Sequence, residues 1–417
     1  MNKFKVMLIV LAMIFALSGC SSQNGPQDVA TSAPAAETVV VSEDAGDTFV
    51  MASYLQLTGA DSVSGNVARD TIDLAIEYIN ASGGMNGATV SITHYDTTGS
   101  TEEAVKIVQK ILTQDIDCVM GSVNSGDVAA CIPYLNDAKI YNFGLGTSAS
   151  WMADPAMIYT FRASCNNARC IPQDITMIES LGYKNIAVMN STDDNASISA
   201  DTFVKICEER GLTITTRQEC DQTDTDFSGQ ITKLIASNPD IIFMSLQGNT
   251  FGPFTKQLRN MNYNGMICAT QSLSEDVQQV AGMSPNTDYV FVAYPYVTYA
   301  ELSDVTIPIM QDFCKKFYDK YGKMPQHETA FRAWDTMMVL WEASKIAGKN
   351  DDDSLREATN KVVLNGLGGT LDYTKGDREG YSEFNGFILL NNQNQLFSDW
   401  RDNGGYDKYL EVTGREK

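Results

Sequence analysis

Side chains suited to bond-breaking chemistry are sparse in this chain. It holds two histidines, His94 and His327. His94 lies in the alternating run "ATVSITHYD", and His327 stands ahead of a helical segment. A Ser-His-Asp hydrolase needs an imidazole within reach of its nucleophile, and no G-x-S-x-G turn leads into a helix. The chain is therefore read as a non-enzyme. The nine cysteines include no C-x-x-C pair, so neither a structural zinc site nor any other metal or cofactor is expected. Cys165 and Cys170, in "CNNARC", could close a small loop. Cys118, Cys207 and Cys268 sit in apolar patterns, where a thiol behaves as a small hydrophobe. Ser125, in "NSGD", stands where a helix begins. The unpaired N–H groups and partial positive charge there can hold a carboxylate without an arginine. The same serine could equally be a plain N-cap. Asp127, two residues on, suits the dipole of the first turn.

One cysteine stands apart. Lys3 and Lys5 precede a twelve-residue apolar stretch, Val6 to Leu17. That is short of the ~20 residues of a membrane-spanning helix, and it fits an export leader. Leu17-Ser18-Gly19-Cys20 resembles the lipobox of bacterial lipoproteins, in which the cysteine is acylated and the chain is cut just before it. Residues 1–19 are thus expected to be a leader and Cys20 the lipidated N-terminus. The stretch 20–47 is rich in Ser, Ala, Pro, Gly and acidic residues and reads as a flexible tether.

The rest must position the site. With 417 residues, 43% hydrophobic and 20% charged, the chain is long enough for two globular domains. Its net charge is −22, and removal of Lys3 and Lys5 with the leader takes it to −24. Such a surface argues against nucleic acid and anionic lipid as partners. From Thr48 strand and helix patterns alternate. "TFVMASYLQL" reads as a strand, "NVARDTIDLAIEYINASGG" as a helix stopped by Gly83-Gly84, and "STEEAVKIVQKILTQ" as a helix opened by a Ser100/Glu103 capping box. "AKIYNFG" reads as a further strand. The alternation restarts at "NIAVMN" and runs to "DYVFVAYPY". Helices are expected around 306–321, 328–347 and 353–364. Two such halves mean two doubly wound α/β domains with parallel sheets, and ligands of such sheets bind beyond the carboxyl ends of the strands.

At this point several stretches resemble the leucine/isoleucine/valine-binding protein family, the type I solute receptors of ABC importers. They are "LQLTGADSVSGN", "AIEYINASGGMNGATVSITHYD", "GSVNSGDVAACIPYL", "TSASWMADPAMIYTFR" and "GTLDYTKGDREG". The resemblance runs from about Phe49 to about Trp400. It implies a three-crossover hinge, with an N-terminal lobe of 48–164 plus 295–372 and a C-terminal lobe of 165–294 plus 373–417.

The resemblance also implies a site. Ser125 and Ser148 would supply hydroxyls to a ligand carboxylate, Gly146 its backbone, and Thr147 is adjacent. Asn195 falls where family members place a pocket tyrosine. Thr270 and Gln271, followed by Ser272, fall where amino-acid-binding members place an acidic residue for the amine, and Ser64 falls where an aromatic is common. Asp193 or Asp194 could replace the missing charge. Trp151 would wall the cleft or simply pack. The expected protein is a monomeric, lipid-anchored, extracytoplasmic receptor. It would take an amino acid or small carboxylate and deliver it to an ABC permease and ATPase. The alternative is a sensing module that reports to a signalling partner. If Cys20 is the anchor, Cys20→Ala releases the protein from the membrane fraction. A variant that sediments with membranes as firmly as the parent overturns the assignment.

Overall fold

The structure is a computed structural model that describes residues 47–59, 61–305, 307–381 and 384–415. The leader, Cys20 and the tether up to residue 46 lie outside these. Among the described residues, no helix is long and apolar enough to cross a membrane.

The first sheet is built from β1 (Thr48–Leu55), β2 (Thr89–Asp96), β3 (Cys118–Met120), β4 (Asn142–Phe143) and β5 (Thr160–Phe161). All pairings are parallel, in the order β2-β1-β3-β4-β5. The connecting helices are α1 (Ser62–Ala81), α2 (Thr101–Ile111) and α3 (Ser125–Asp137). α1 buries the stripe Ala68, Ile72, Ala75, Ile76 and Ile79 that its spacing predicts. It stops where expected. Gly84 takes φ +74°, and a Cβ there would lie 2.1 Å from the Ala88 carbonyl oxygen, so only glycine fits. At α2 half of the predicted capping box forms. Ser100 accepts from the Glu103 N–H, whereas the Glu103 carboxylate turns to Lys106 and the Ser100 N–H donates to the Thr97 carbonyl. The strand expected in "AKIYNFG" is reduced to the two residues of β4.

The second sheet follows α4 (Asn167–Ser180). It contains β6 (Asn185–Ser191), β7 (Thr213–Cys220), β8 (Ile241–Ser245), β9 (Ile267–Ala269) and β10 (Val290–Tyr294), with α5 (Asp194–Glu209), α6 (Ser228–Ala236), α7 (Gly248–Asn260) and α8 (Glu275–Ala281) between them. Every residue of β8 is buried, as expected of a parallel strand covered on both faces.

After β10 come α9 (Pro308–Tyr321), α10 (Thr329–Ala347), α11 (Asp352–Thr359) and a hairpin of β11 (Val363–Gly366) and β12 (Gly369–Asp372). The helix predicted to reach residue 364 therefore ends at Thr359. α10 and α11 sit on the first sheet: Trp341 Nε1 donates to the Gly84 carbonyl (3.2 Å), and the Tyr141 hydroxyl meets Thr359 Oγ1 (2.6 Å). The chain closes with β13 (Asn385–Leu390), β14 (Gln393–Leu396), α12 (Phe397–Asp402) and α13 (Gly405–Thr413). β13 and β14 add antiparallel strands to the second sheet, giving β14-β13-β10-β9-β8-β6-β7. That sheet is mixed, where an all-parallel one was predicted.

Asp335 of α10 ties three segments together. Its buried carboxylate accepts from the hydroxyls of Tyr296 and Tyr381 and from the Leu367 N–H. Burial raises its pKa to about 6, against the pull of those bonds. An acid whose pKa is higher folded than unfolded contributes most below its unfolded value, and the contribution is lost as pH rises through the folded one. The stability of the wild type relative to Asp335→Asn should therefore decline between pH 4 and 6, by about 3 kcal/mol. Parallel melting curves of the two proteins across this range check it, and a constant difference refutes it.

Candidate ligand-binding site

The site gathers at the carboxyl ends of β3 and β4, where α3 begins. Asn124 caps α3: its Oδ1 accepts from the N–H groups of Gly126 (2.9 Å) and Asp127 (3.2 Å). Ser125 is thus the first helical residue and not the cap. Its hydroxyl is free for another task. Ser125 Oγ accepts from the backbone N–H of Thr147 (3.2 Å) and of Ser148 (3.1 Å), stapling the two loops together. An oxygen that accepts twice still has its own proton to donate. Asp127 lies in the first turn, as expected, but it faces inward, where Thr101 and Ser122 donate to its carboxylate (2.7 and 3.0 Å). Burial pushes its pKa up while these hydroxyls pull it down.

Gly146 is required by this close approach. A Cβ there would lie 2.7 Å from Ser125 Oγ and 3.0 Å from Ser125 Cα. Its carbonyl accepts from Ser164 Oγ (3.0 Å). The fully buried Arg162 donates to the carbonyls of Gly146 (3.4 Å) and Ser148 (2.6 Å) and pairs with Glu379 at 3.0 Å. Its guanidinium lies 4.3 Å from the Trp151 ring centroid, so Trp151 packs behind the loop.

The start of α5 meets these loops from the second sheet. Asp193 caps α5 through the Ala196 N–H (3.0 Å) and also accepts from Gln247. It is therefore held at the start of α5. Asp194 accepts from Ser148 Oγ (3.1 Å) and from Ser150 Oγ (2.7 Å). Asn195 Nδ2 donates to Thr147 Oγ1 (3.4 Å). Ser125, Gly146, Thr147, Ser148 and Asn195 are thus brought together. Thr270 and Gln271 follow β9 and, among the described residues, make no hydrogen bond to the serine loops. Ser64 is buried in α1 and donates to the Asp61 carbonyl. Sequence reasoning missed Ser150, Arg162 and Asn167. It also missed the buried Glu328–Arg332 ion pair, in which Arg332 Nη1 donates to the Leu145 carbonyl (2.7 Å). Nothing in the local composition distinguishes these residues from surface ones.

Comparison with known proteins follows from this geometry. Residues 51–385 match the family model described as periplasmic binding protein. Among curated relatives, the Leu/Ile/Val-binding protein homolog 1 of Brucella suis is 22% identical, covering 80% of this chain and 88% of its own. A leucine-, isoleucine-, valine-, threonine- and alanine-binding protein of Pseudomonas aeruginosa is 21% identical, covering 81% and 89%. The fold is similar to that of the leucine-binding protein LivK of Thermotoga maritima (TM-score 0.72, 20% identity, 84% of this chain and 97% of that one). It is also similar to a Rhodopseudomonas palustris solute-binding protein of an ABC transporter in complex with benzoate (TM-score 0.73, 17% identity, 84% and 95%). With a family model spanning residues 51–385, and two serine loops meeting at the ends of parallel strands, the chain belongs to the periplasmic binding protein family.

Proposed function

We propose that this chain is the solute-capturing receptor of an ABC importer, lipid-anchored outside the cytoplasm through Cys20, and that it grips a small carboxylate between two serine loops. The observation that carries the reading is the carboxylate already seated there. Ser148 and Ser150 both donate to Asp194, so the loop can hold an anionic oxygen with hydroxyls alone. Asp194 stands in for the solute. The solute's own carboxylate takes donors from the hydroxyls of Ser125 and Ser148 and from the backbone of Gly146. Asn195, which reaches Thr147, and Thr270 and Gln271 after β9 are the candidates for the rest of the solute. The named ligands of the similar proteins, from leucine and threonine to benzoate, have the carboxylate as their common group, which supports a shared carboxylate grip. The chain would close as a hinge between a lobe of 48–164 plus 295–372 and a lobe of 165–294 plus 373–417, by the rigid-body motion of periplasmic receptors. The LSGC box supports the anchor, and the family supports a permease and ATPase as partners.

Two outcomes are expected. Ser125→Ala weakens solute binding roughly ten- to a hundredfold, since a buried carboxylate that loses a donor costs ~1–3 kcal/mol. Its melting point also falls somewhat: Asn124 still holds the cap, but the N–H groups of Thr147 and Ser148 lose their acceptor. Calorimetry on the single and the Ser125→Ala, Ser148→Ala double variants checks this, and wild-type affinity in the double variant sinks it. Small-angle scattering should give a smaller radius of gyration with saturating solute. An unchanged radius counts against closure.

A further inference from the structure

The start of α4 carries a pair of thiols that the ligand site does not use. Asn166 caps the helix, its Oδ1 accepting from the Ala168 N–H (3.0 Å). Cys165 therefore precedes the cap, and Cys170 is the fourth residue of the helix. Helices commonly place an apolar contact between these two positions, and it fixes the angle at which the chain enters. Here both positions carry sulfur. The two Sγ atoms lie 2.7 Å apart, and each residue is 1% exposed. Among the described residues this is the one cysteine pair with its sulfurs in contact.

What the pair secures is the support of the serine loops. On one side of Cys165, Arg162 and Ser164 donate to the Gly146 carbonyl (3.4 and 3.0 Å), and Arg162 also donates to that of Ser148 (2.6 Å). On the other side, the Asn167 N–H donates to the Thr147 carbonyl (3.0 Å). Segment 162–167 thus holds three consecutive carbonyls, those of Gly146, Thr147 and Ser148. Its own direction is set where it turns into α4, at the contact between Cys165 and Cys170.

Two thiols in contact can be joined by oxidation. Two S–H bonds break and one S–S bond forms. Two protons and two electrons pass to an oxidant whose own disulfide opens to two thiols. Such bonds form and persist outside the cytoplasm. Burial raises the pKa of the Cys170 thiol well above its ordinary value, and the thiolate is the attacking form. Reaction in the finished fold is therefore slow, and it belongs to the stage at which the start of α4 is still docking. Burial then shields the product from reductants. We propose that Cys165 and Cys170 are joined in a disulfide that staples the start of α4 and stiffens the backbone under the serine loops. This rests on the extracytoplasmic location proposed above, where the chain meets a disulfide oxidant.

The test refolds the full chain with oxidised glutathione and digests it with trypsin in the absence of reductant. Cleavage after Arg162, Arg169 and Lys184 puts the two cysteines on separate peptides, 163–169 and 170–184, neither of which holds another cysteine. The two peptides should be recovered joined and should separate on reduction. In the folded protein the bond should resist dithiothreitol and yield once denaturant is added. Backbone hydrogen exchange over residues 145–150 should be slower in the oxidised chain than in the reduced one. Both peptides recovered with free thiols, or either joined to a different cysteine, overturns the proposal. Equal exchange in the joined and reduced chains overturns the stiffening. The oxidant is supplied in this experiment, so failure of the bond is read apart from failure of the location, which membrane release of Cys20→Ala reports.

Discussion

The geometry of the serine loops hangs on one buried cation. Arg162 has no exposed surface, and a guanidinium without water must find acceptors or cost several kcal/mol. It finds them in the carbonyls of Gly146 and Ser148 and in Glu379, and its face covers Trp151. Burial draws its pKa down, and the carboxylate of Glu379 works against that. Because the Gly146 carbonyl points back at Arg162, the N–H of Thr147 in the same peptide turns to Ser125; the Thr147 carbonyl is held by the Asn167 N–H, and the Ser148 N–H of that peptide turns to Ser125 as well. Glu379 also meets Arg169, which pairs with Asp377 at 2.9 Å. The orientation of the grip is therefore tied, through a short run of alternating charges, to the chain leaving β12 and to α4.

The proposed carboxylate grip carries no positive side chain. It is made of hydroxyls, peptide N–H groups and the start of α3, a combination that stabilises a carboxylate while adding no net charge to the interior. The cation sits one layer behind, already paired. A free arginine in the cleft would attract any anion. A spent one orients the donors and leaves selection to shape and hydrogen-bond count.

Much of the scaffold was legible. The alternation of apolar strands with helical stripes predicts two α/β halves because burial on both faces makes strands such as β8 read as short apolar runs. The "NSGD" and "GTSAS" loops were found through resemblance, and the structure brings them into contact. Other features escaped for physical reasons. Asn124 outranks Ser125 as the cap, and composition does not say which of two adjacent capping residues wins. Arg162 follows a two-residue strand and looks like a surface charge until Glu379, more than two hundred residues away, is folded against it. Glu328 precedes a helix, where an acid is ordinarily a solvated partner of the dipole. The β13–β14 hairpin did have a signal: Asn391-Asn392 sit between two apolar runs, and both take positive φ, as a tight hairpin turn demands.

The contact between Gly146 and Ser125 has a consequence for how such a receptor can diversify. Any side chain at position 146 collides with the staple. This half of the cleft can therefore accept almost no variation without losing its shape. New preferences are more readily reached after β9, where Thr270 and Gln271 make no hydrogen bond to the serine loops among the described residues. One wall acts as a fixed die and the other as interchangeable type, so a lineage can exchange what it recognises while keeping how it holds on.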